Sequence, residues 1–275
     1  MPNAYIPLFS TPPPPSDFIY PYGDQQSQFG QLRIPKGPQK HPVIINFHGG
    51  WWRAKHDLNT QSYFCQALTQ QGFATWNVEY TRIGENQACW PNTFQDVANA
   101  VDFLRSIEEK HNLDLNRVIT LGFSAGASLA LWAASRPVIK PTSPLYTKNP
   151  LAVAGAVSLA GAIDLQECST RQLSDSVVDQ FMGGNYFEKQ ERYQLVSPAE
   201  FTLAAIPHLI IHGKEDTSVP YSISESFHQK ARENTSATID LCLFDNCEHF
   251  DLIDPGSVFW PQILKKITTL YQKIA

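Results

Sequence analysis

The sequence predicts an α/β domain in which one mostly parallel sheet is flanked by helices. Apolar, β-rich runs alternate with helical patterns from about Gln31 onward, which is the βαβ rhythm of a parallel sheet. Gly122-Phe123-Ser124-Ala125-Gly126 falls between a strand pattern and a helix pattern, so it reads as a serine set on a sharp strand-to-helix turn. At 275 residues with 43% hydrophobic side chains, the chain is long enough to bury one large core.

The chain opens on Met1-Pro2-Asn3-Ala4-Tyr5-Ile6-Pro7. This start has neither the basic nor the apolar region of a secretory leader, which predicts a cytoplasmic protein. Thr11-Pro12-Pro13-Pro14-Pro15-Ser16 is extended by composition and reads as a loose arm or a strap over the surface. Residues 1–30 are taken as this arm and residues 31–275 as a single domain. Within it the pattern predicts a strand at 43–47, a helix at 60–70, a strand at 74–79, a helix at 92–110 and a strand at 117–121. A helix follows Ser124; strands resume at 153–159, 208–212 and 238–244, with helices at 221–232 and 257–273. Between 164 and 205 the rhythm breaks into two short helical patterns, 174–182 and 189–195. An insertion at that position forms a wall or cap over a site at the carboxyl edge of the sheet.

Composition removes several function classes. The net charge is −5 and the Lys and Arg residues are scattered, which argues against nucleic acid or an anionic membrane as partner and for a small neutral or aromatic ligand. The longest apolar stretch, 151–163, is shorter than a membrane span. Five cysteines (Cys65, Cys89, Cys168, Cys242, Cys247) lack metal-ligand spacing and are odd in number, which predicts reduced thiols. With no glycine-rich phosphate loop and no dinucleotide fingerprint either, neither cofactor nor metal is implied.

An isolated serine hydroxyl is a poor nucleophile, so Ser124 needs a general base and a carboxylate to orient that base. His249 lies just after the last predicted strand and Asp216 just after the one before it, in His212-Gly213-Lys214-Glu215-Asp216. Glu215, Asp245 and Asp251 are competing carboxylates close by. Of the other histidines, His41, His56, His111 and His228 read as surface or loop residues, and His208 and His212 as structural groups flanking a buried strand. Acyl transfer develops a negative oxygen that backbone N–H groups must stabilise. The glycine-rich turn His48-Gly49-Gly50-Trp51-Trp52 after strand 43–47 offers Gly50 and Trp51, and the residue after the nucleophile offers Ala125. His48 then braces the loop, with Glu79 and Arg82 as a candidate buried ion pair beneath it. Trp52, Phe123, Tyr186 and Phe250 are the candidates for an apolar substrate pocket.

Together these motifs resemble the α/β-hydrolase superfamily, and within it the esterase/lipase branch with a His-Gly-Gly-x-Trp oxyanion loop, which includes carboxylesterases and arylformamidases. The resemblance extends from about Ile34 to the end and also rests on Trp90-Pro91-Asn92-Thr93-Phe94-Gln95-Asp96-Val97 and Ser197-Pro198-Ala199-Glu200. It implies an eight-stranded, mostly parallel sheet with Ser124 as nucleophile, His249 as base and Asp216 as its orienting acid. Phe123 stands where many relatives carry His, Asp or Glu, which implies a more apolar pocket floor. Trp51 replaces the third glycine of another branch and favours the formamidase-like or feruloyl-esterase-like side, whereas Glu79-Tyr80-Thr81-Arg82 looks more like the general esterases.

The expected activity is therefore hydrolysis of small carboxylic esters through an acyl-enzyme. Hydrolysis of an N-formyl aromatic amide by the same residues is the alternative within enzymes. A non-catalytic ligand-binding protein on a hydrolase scaffold is the alternative outside them.

Overall fold

The computed structural model describes residues 12–234 and 237–274. The opening residues read for a leader, and Thr11 of the Pro-rich stretch, lie outside the described residues. Among the described residues, eight strands form one sheet: β1 (Phe18–Pro21), β2 (Phe29–Arg33), β3 (His41–Phe47), β4 (Ala74–Val78), β5 (Leu113–Phe123), β6 (Gly155–Leu159), β7 (His208–Gly213) and β8 (Ile239–Phe244). Their order across the sheet is β1-β2-β4-β3-β5-β6-β7-β8. Strands β3 to β8 all run parallel, and β2 runs against them, pairing antiparallel with β4 on one side and β1 on the other. The expectation of a mostly parallel eight-stranded sheet flanked by helices holds.

The helices are α1 (Ser62–Gln70), α2 (Cys89–Ile107), α3 (Ala125–Ala134), α4 (Leu165–Thr170), α5 (Leu173–Met182), α6 (Gln190–Val196), α7 (Ser222–Asn234) and α8 (Trp260–Ile274). Because side chains alternate faces along a strand, the sheet feeds two cores. Val43, Ile45 and Phe47 of β3 pack with α2 and α3, while Ile44 packs on the other face with Phe64 and Leu68 of α1 and with Ile263, Ile267 and Leu270 of α8. The α8 positions recur at helical spacing, one apolar stripe on a helix whose other faces are solvated. Helix α3 is buried on every side from Ala125 to Ala134, and its small residues let it lie close against the sheet.

The arm departs from expectation. Phe18–Pro21 and Phe29–Arg33 pair as an antiparallel ribbon that extends the sheet past β4, so residues 18–30 belong to the domain rather than to a loose arm. The prolines before them act as a strap: Arg33 Nη2 donates to the Pro14 carbonyl at 2.8 Å and the Tyr63 hydroxyl to that of Pro12 at 3.0 Å. The ribbon also covers His111, which hydrogen-bonds Tyr20 at 2.8 Å and is buried, as is His41. His111 does lie in a turn, as one of the surface-or-loop histidines expected, but it is buried, and His41 opens β3 instead.

In the insertion at 164–205, α4 is an additional short helix capped by Asp164, whose side chain accepts from the Glu167 N–H. The segment read as a helix from 174 opens differently. Gln172, Ser174, Asp175 and Ser176 all hold φ between 49° and 54° or, for Asp175, 59°, and ordinary helix begins only after them. Each such non-glycine residue costs roughly 1–2 kcal/mol, and a tertiary contact offsets part of it: Arg53 Nη2 donates to the Ser174 carbonyl at 2.7 Å.

Candidate active site

The parallel strands β3 to β8 end at one edge of the sheet, and the candidate groups all follow those ends. Ser124 sits between β5 and α3 with φ 55° and ψ −120°, a conformation that costs on the order of 1–3 kcal/mol and persists only where packing enforces it. The enforcing contacts are visible in the glycines. A β-carbon at Gly122 would lie 2.1 Å from the Gly126 carbonyl oxygen, and one at Gly126 would lie 2.1 Å from that of Phe47. Strand, turn and helix therefore close up only with glycine at both places, and the serine is pushed out at the edge.

His249 follows β8 and hydrogen-bonds Asp216 Oδ2 through Nδ1 at 2.6 Å. A ring nitrogen facing a carboxylate carries the proton, which leaves the Nε2 lone pair free to act as a base. The ring is packed by a tilted Phe123, 4.6 Å between centroids, and by Phe250 edge-on at 5.1 Å. Asp216 is the carboxylate that meets the histidine. Its competitors are engaged elsewhere: Asp245 pairs with Lys214 at 2.7 Å, and Asp251 accepts the Glu248 N–H at 2.8 Å.

Asp216 is satisfied beyond what its sequence position suggests. Oδ1 accepts the N–H groups of Ser218 and Val219, each at 2.8 Å. Oδ2 also receives His212 Nε2 at 3.1 Å, and the same nitrogen lies 2.9 Å from the Val219 carbonyl. Since both partners are acceptors, Nε2 of His212 is protonated, and its Nδ1 accepts from the Ser224 hydroxyl at 2.7 Å. Burial by itself raises the Asp216 pKa, but the hydrogen bonds from His212, His249 and the Val219 amide outweigh it and hold the carboxyl well below the usual range.

The loop after β3 is pinned from beneath. His48 Nε2 lies 2.8 Å from Glu79 Oε1, its ring stacks on Tyr80 at 4.4 Å, and the Tyr80 hydroxyl donates to the His48 carbonyl at 2.6 Å. Glu79 Oε2 accepts Arg82 Nη1 at 3.1 Å. The expected ion pair is thus present and buried. Above it the backbone turns through Gly50 (φ 108°), Trp51 (φ 53°) and Trp52 (φ 53°), and Gly49 packs on the elbow, its missing β-carbon 3.0 Å from that of Ser124. Among the described residues, none accepts a hydrogen bond from the backbone N–H of Gly50, Trp51 or Ala125.

Ser124 and His249 line one cavity of about 100 Å³ together with Gly50, Trp51, Phe123 and Phe250. Gly49, His56, Thr60 and Ser218 complete it, and the last three were not selected from the sequence. Ser218 carried a usable signal, since an aspartate two residues ahead is a common turn former; His56 carried none. Two pocket candidates lie elsewhere. Trp52 is fully buried and stacks on Phe181 of α5 at 4.4 Å, and Tyr186 packs on Tyr193 of α6 at 5.5 Å. The Trp52–Phe181 stack joins the insertion to the rest of the fold, while Tyr186 packs within the insertion.

Among the described residues there is no cluster of His, Cys, Asp or Glu suited to a metal ion, and no helix long and apolar enough to cross a membrane. All five cysteines are free.

A parallel sheet of this order, with a strained serine after β5, an aspartate after β7 and a histidine after β8, defines an α/β-hydrolase fold. Comparison with known proteins narrows the class: residues 31–231 match the BD-FAE family model, and the chain belongs to that family. It is 25% identical over 244 residues to Esterase LipQ of Mycobacterium tuberculosis, covering 86% of this chain and 57% of the relative. It is 24% identical over 244 residues to a probable isoprenylcysteine alpha-carbonyl methylesterase, ICME, of Oryza sativa subsp. japonica, covering 84% and 57%. The chain thus spans somewhat over half the length of these curated relatives. Among solved structures, Esterase B of Lactobacillus rhamnosis, inhibited by a tributyrin phosphonate, superposes with a TM-score of 0.81 at 17% identity over 95% of this chain and 88% of that one. A truncated carbohydrate esterase from gut microbiota superposes with a TM-score of 0.78 at 21% identity, covering 94% and 98%.

Proposed function

We propose that this protein is a serine hydrolase of small carboxylic esters. The observation that carries the reading is the junction at one cavity of Ser124 on its strained elbow and His249 bonded through Nδ1 to Asp216. In this reading His249 Nε2 takes the Ser124 proton as Oγ attacks the ester carbonyl. The N–H groups of Gly50, Trp51 and Ala125 receive the developing oxyanion. The alcohol leaves with the proton from His249, and water, activated by the same imidazole, releases the acid. Each oxyanion donor is worth about 10²–10³ in rate, which is why the Glu79–Arg82 support beneath the loop matters. The esterase relatives and the phosphonate-inhibited neighbour support this assignment, and the free thiols suit a cytoplasmic setting.

Phenyl acetate hydrolysis is the test. Ser124→Ala lowers kcat by more than about a thousandfold with the circular dichroism spectrum unchanged, and an alkyl phosphonate labels the wild-type protein but not the variant. Turnover or labelling that survives in the variant refutes the assignment. A wild type that binds esters without cleaving them supports a non-catalytic scaffold instead.

A further inference from the structure

One wall of the Ser124 cavity carries a histidine that ester hydrolysis does not use. His56 lines the cavity beside Gly50 and Thr60, and its backbone is fixed at both ends. Its N–H donates to the Arg53 carbonyl at 3.0 Å, and its carbonyl accepts Arg82 Nη1 at 2.6 Å. The side chain presses on Gly50: a β-carbon there would lie 2.4 Å from His56 Cβ and 2.9 Å from its Cδ2. His56 therefore stands next to an amide assigned above to the oxyanion, on the same rigid support.

Among the described residues none hydrogen-bonds either nitrogen of the His56 ring, the side chain is half-buried, and neither nitrogen is among the polar atoms sealed away from solvent. Burial lowers its pKa from the ordinary histidine value, and Lys55, His48 and Arg53 lower it further while Asp57 opposes them. Near neutral pH the ring accordingly offers one N–H donor and one lone pair, the complement of a hydroxyl, which can accept and donate. Phe123 and Phe250, packed on His249, supply apolar wall to the same cavity. His56 and Ser124 line the same small cavity of about 100 Å³, so a group that meets His56 is carried close to the ester.

We propose that His56 is a specificity-determining residue that hydrogen-bonds a hydroxyl carried next to the scissile ester, so that small esters bearing such a hydroxyl are preferred over their hydrocarbon isosteres. The proposal rests on the esterase reading and deepens it. A site with a polar group waiting for a partner penalises the substrate that lacks one.

Two isosteric pairs test it and separate the two sides of the ester: 2-hydroxyethyl acetate against propyl acetate, and ethyl lactate against ethyl 2-methylpropanoate. In the wild type the hydroxylated member of at least one pair has the higher kcat/KM, by about tenfold, the value of one hydrogen bond. His56→Phe brings that ratio close to one, and His56→Gln keeps part of it. A merely structural role lowers both members together and leaves the ratio unmoved, which overturns the proposal, as does the absence of any preference in the wild type. Should His56→Phe not fold, His56→Leu and His56→Gln give the same comparison. If no ester is hydrolysed at all, the esterase reading fails on its own, and binding decides about His56. In an NMR titration, Ser124→Ala protein then binds 2-hydroxyethyl acetate or ethyl lactate more tightly than its isostere and loses the preference with His56→Phe added. Equal binding in both pairs overturns the proposal.

Discussion

Asp216 accepts four hydrogen bonds, and only one comes from the candidate base. The Ser218 and Val219 amides fix one oxygen; His212 and His249 share the other. His212 thereby acts as a positioning residue, setting the direction in which Asp216 presents its charge to His249. The sequence placed Ser124, Asp216 and His249 by their distance from strand ends, because those distances are local. It read His212 as a structural group, and the bond from that ring to Asp216 depends on how the chain folds back between Gly213 and Val219. A hydrogen bond to a charged group contributes about 1.5–3 kcal/mol. His212→Leu should lower the unfolding free energy in urea by about that amount and lower ester kcat/KM through a misdirected Asp216. His212→Gln, whose amide can still donate, should recover part of both. Wild-type stability and kcat/KM in His212→Leu would show that the bond does neither job.

At the scale of elements, the candidate site is a set of loops braced by what lies behind them. The loop after β3 depends on Glu79, which holds Arg82 on one oxygen and faces His48 on the other, with the Leu58 N–H at 3.2 Å as well. Glu79 and Arg82 were legible as a strand-end pair, since their spacing after β4 brings them together. The left-handed turn that opens α5 was not legible, because nothing in Ser174-Asp175-Ser176 demands it. Arg53, 121 residues earlier, clamps it. Removing one partner of a buried ion pair typically costs about 3–5 kcal/mol, since the other charge is left unpaired. Glu79→Ala should therefore destabilise the protein in urea by about that amount. In the fraction that stays folded, phenyl acetate kcat should fall while phosphonate labelling of Ser124 persists. A variant as stable and as active as wild type would remove Glu79 from the support of the loop.

For the whole molecule, the α/β class was legible because β3 to β7 are mostly buried runs separated by helical periods, and those runs are long enough to read. The antiparallel edge was not. Phe18–Pro21 has only four residues, and Phe18 and Ile19 remain exposed, so no alternation of burial marks it as a strand. Stability as a function of pH is likewise a property of the whole chain, and here carboxylates pull in opposite directions. Burial raises Asp96, Glu200 and Asp251 above the ordinary value; such groups bind protons more readily when folded, so acidification through their range favours the folded state. Asp216 is held low by His212, His249 and the Val219 amide against the opposing effect of burial. Its contribution is fully present above the unfolded aspartate value of about 3.9 and is lost progressively as pH falls below it toward the depressed folded value. Asp216→Asn removes that one contribution and leaves the raised carboxylates in place. The unfolding free energy in urea at about pH 6 minus that at about pH 3, with its sign kept, should be smaller in Asp216→Asn than in the wild type, although the variant is the less stable of the two at pH 6. An equal or larger difference in the variant would mean that Asp216 is not held ionised by its neighbours.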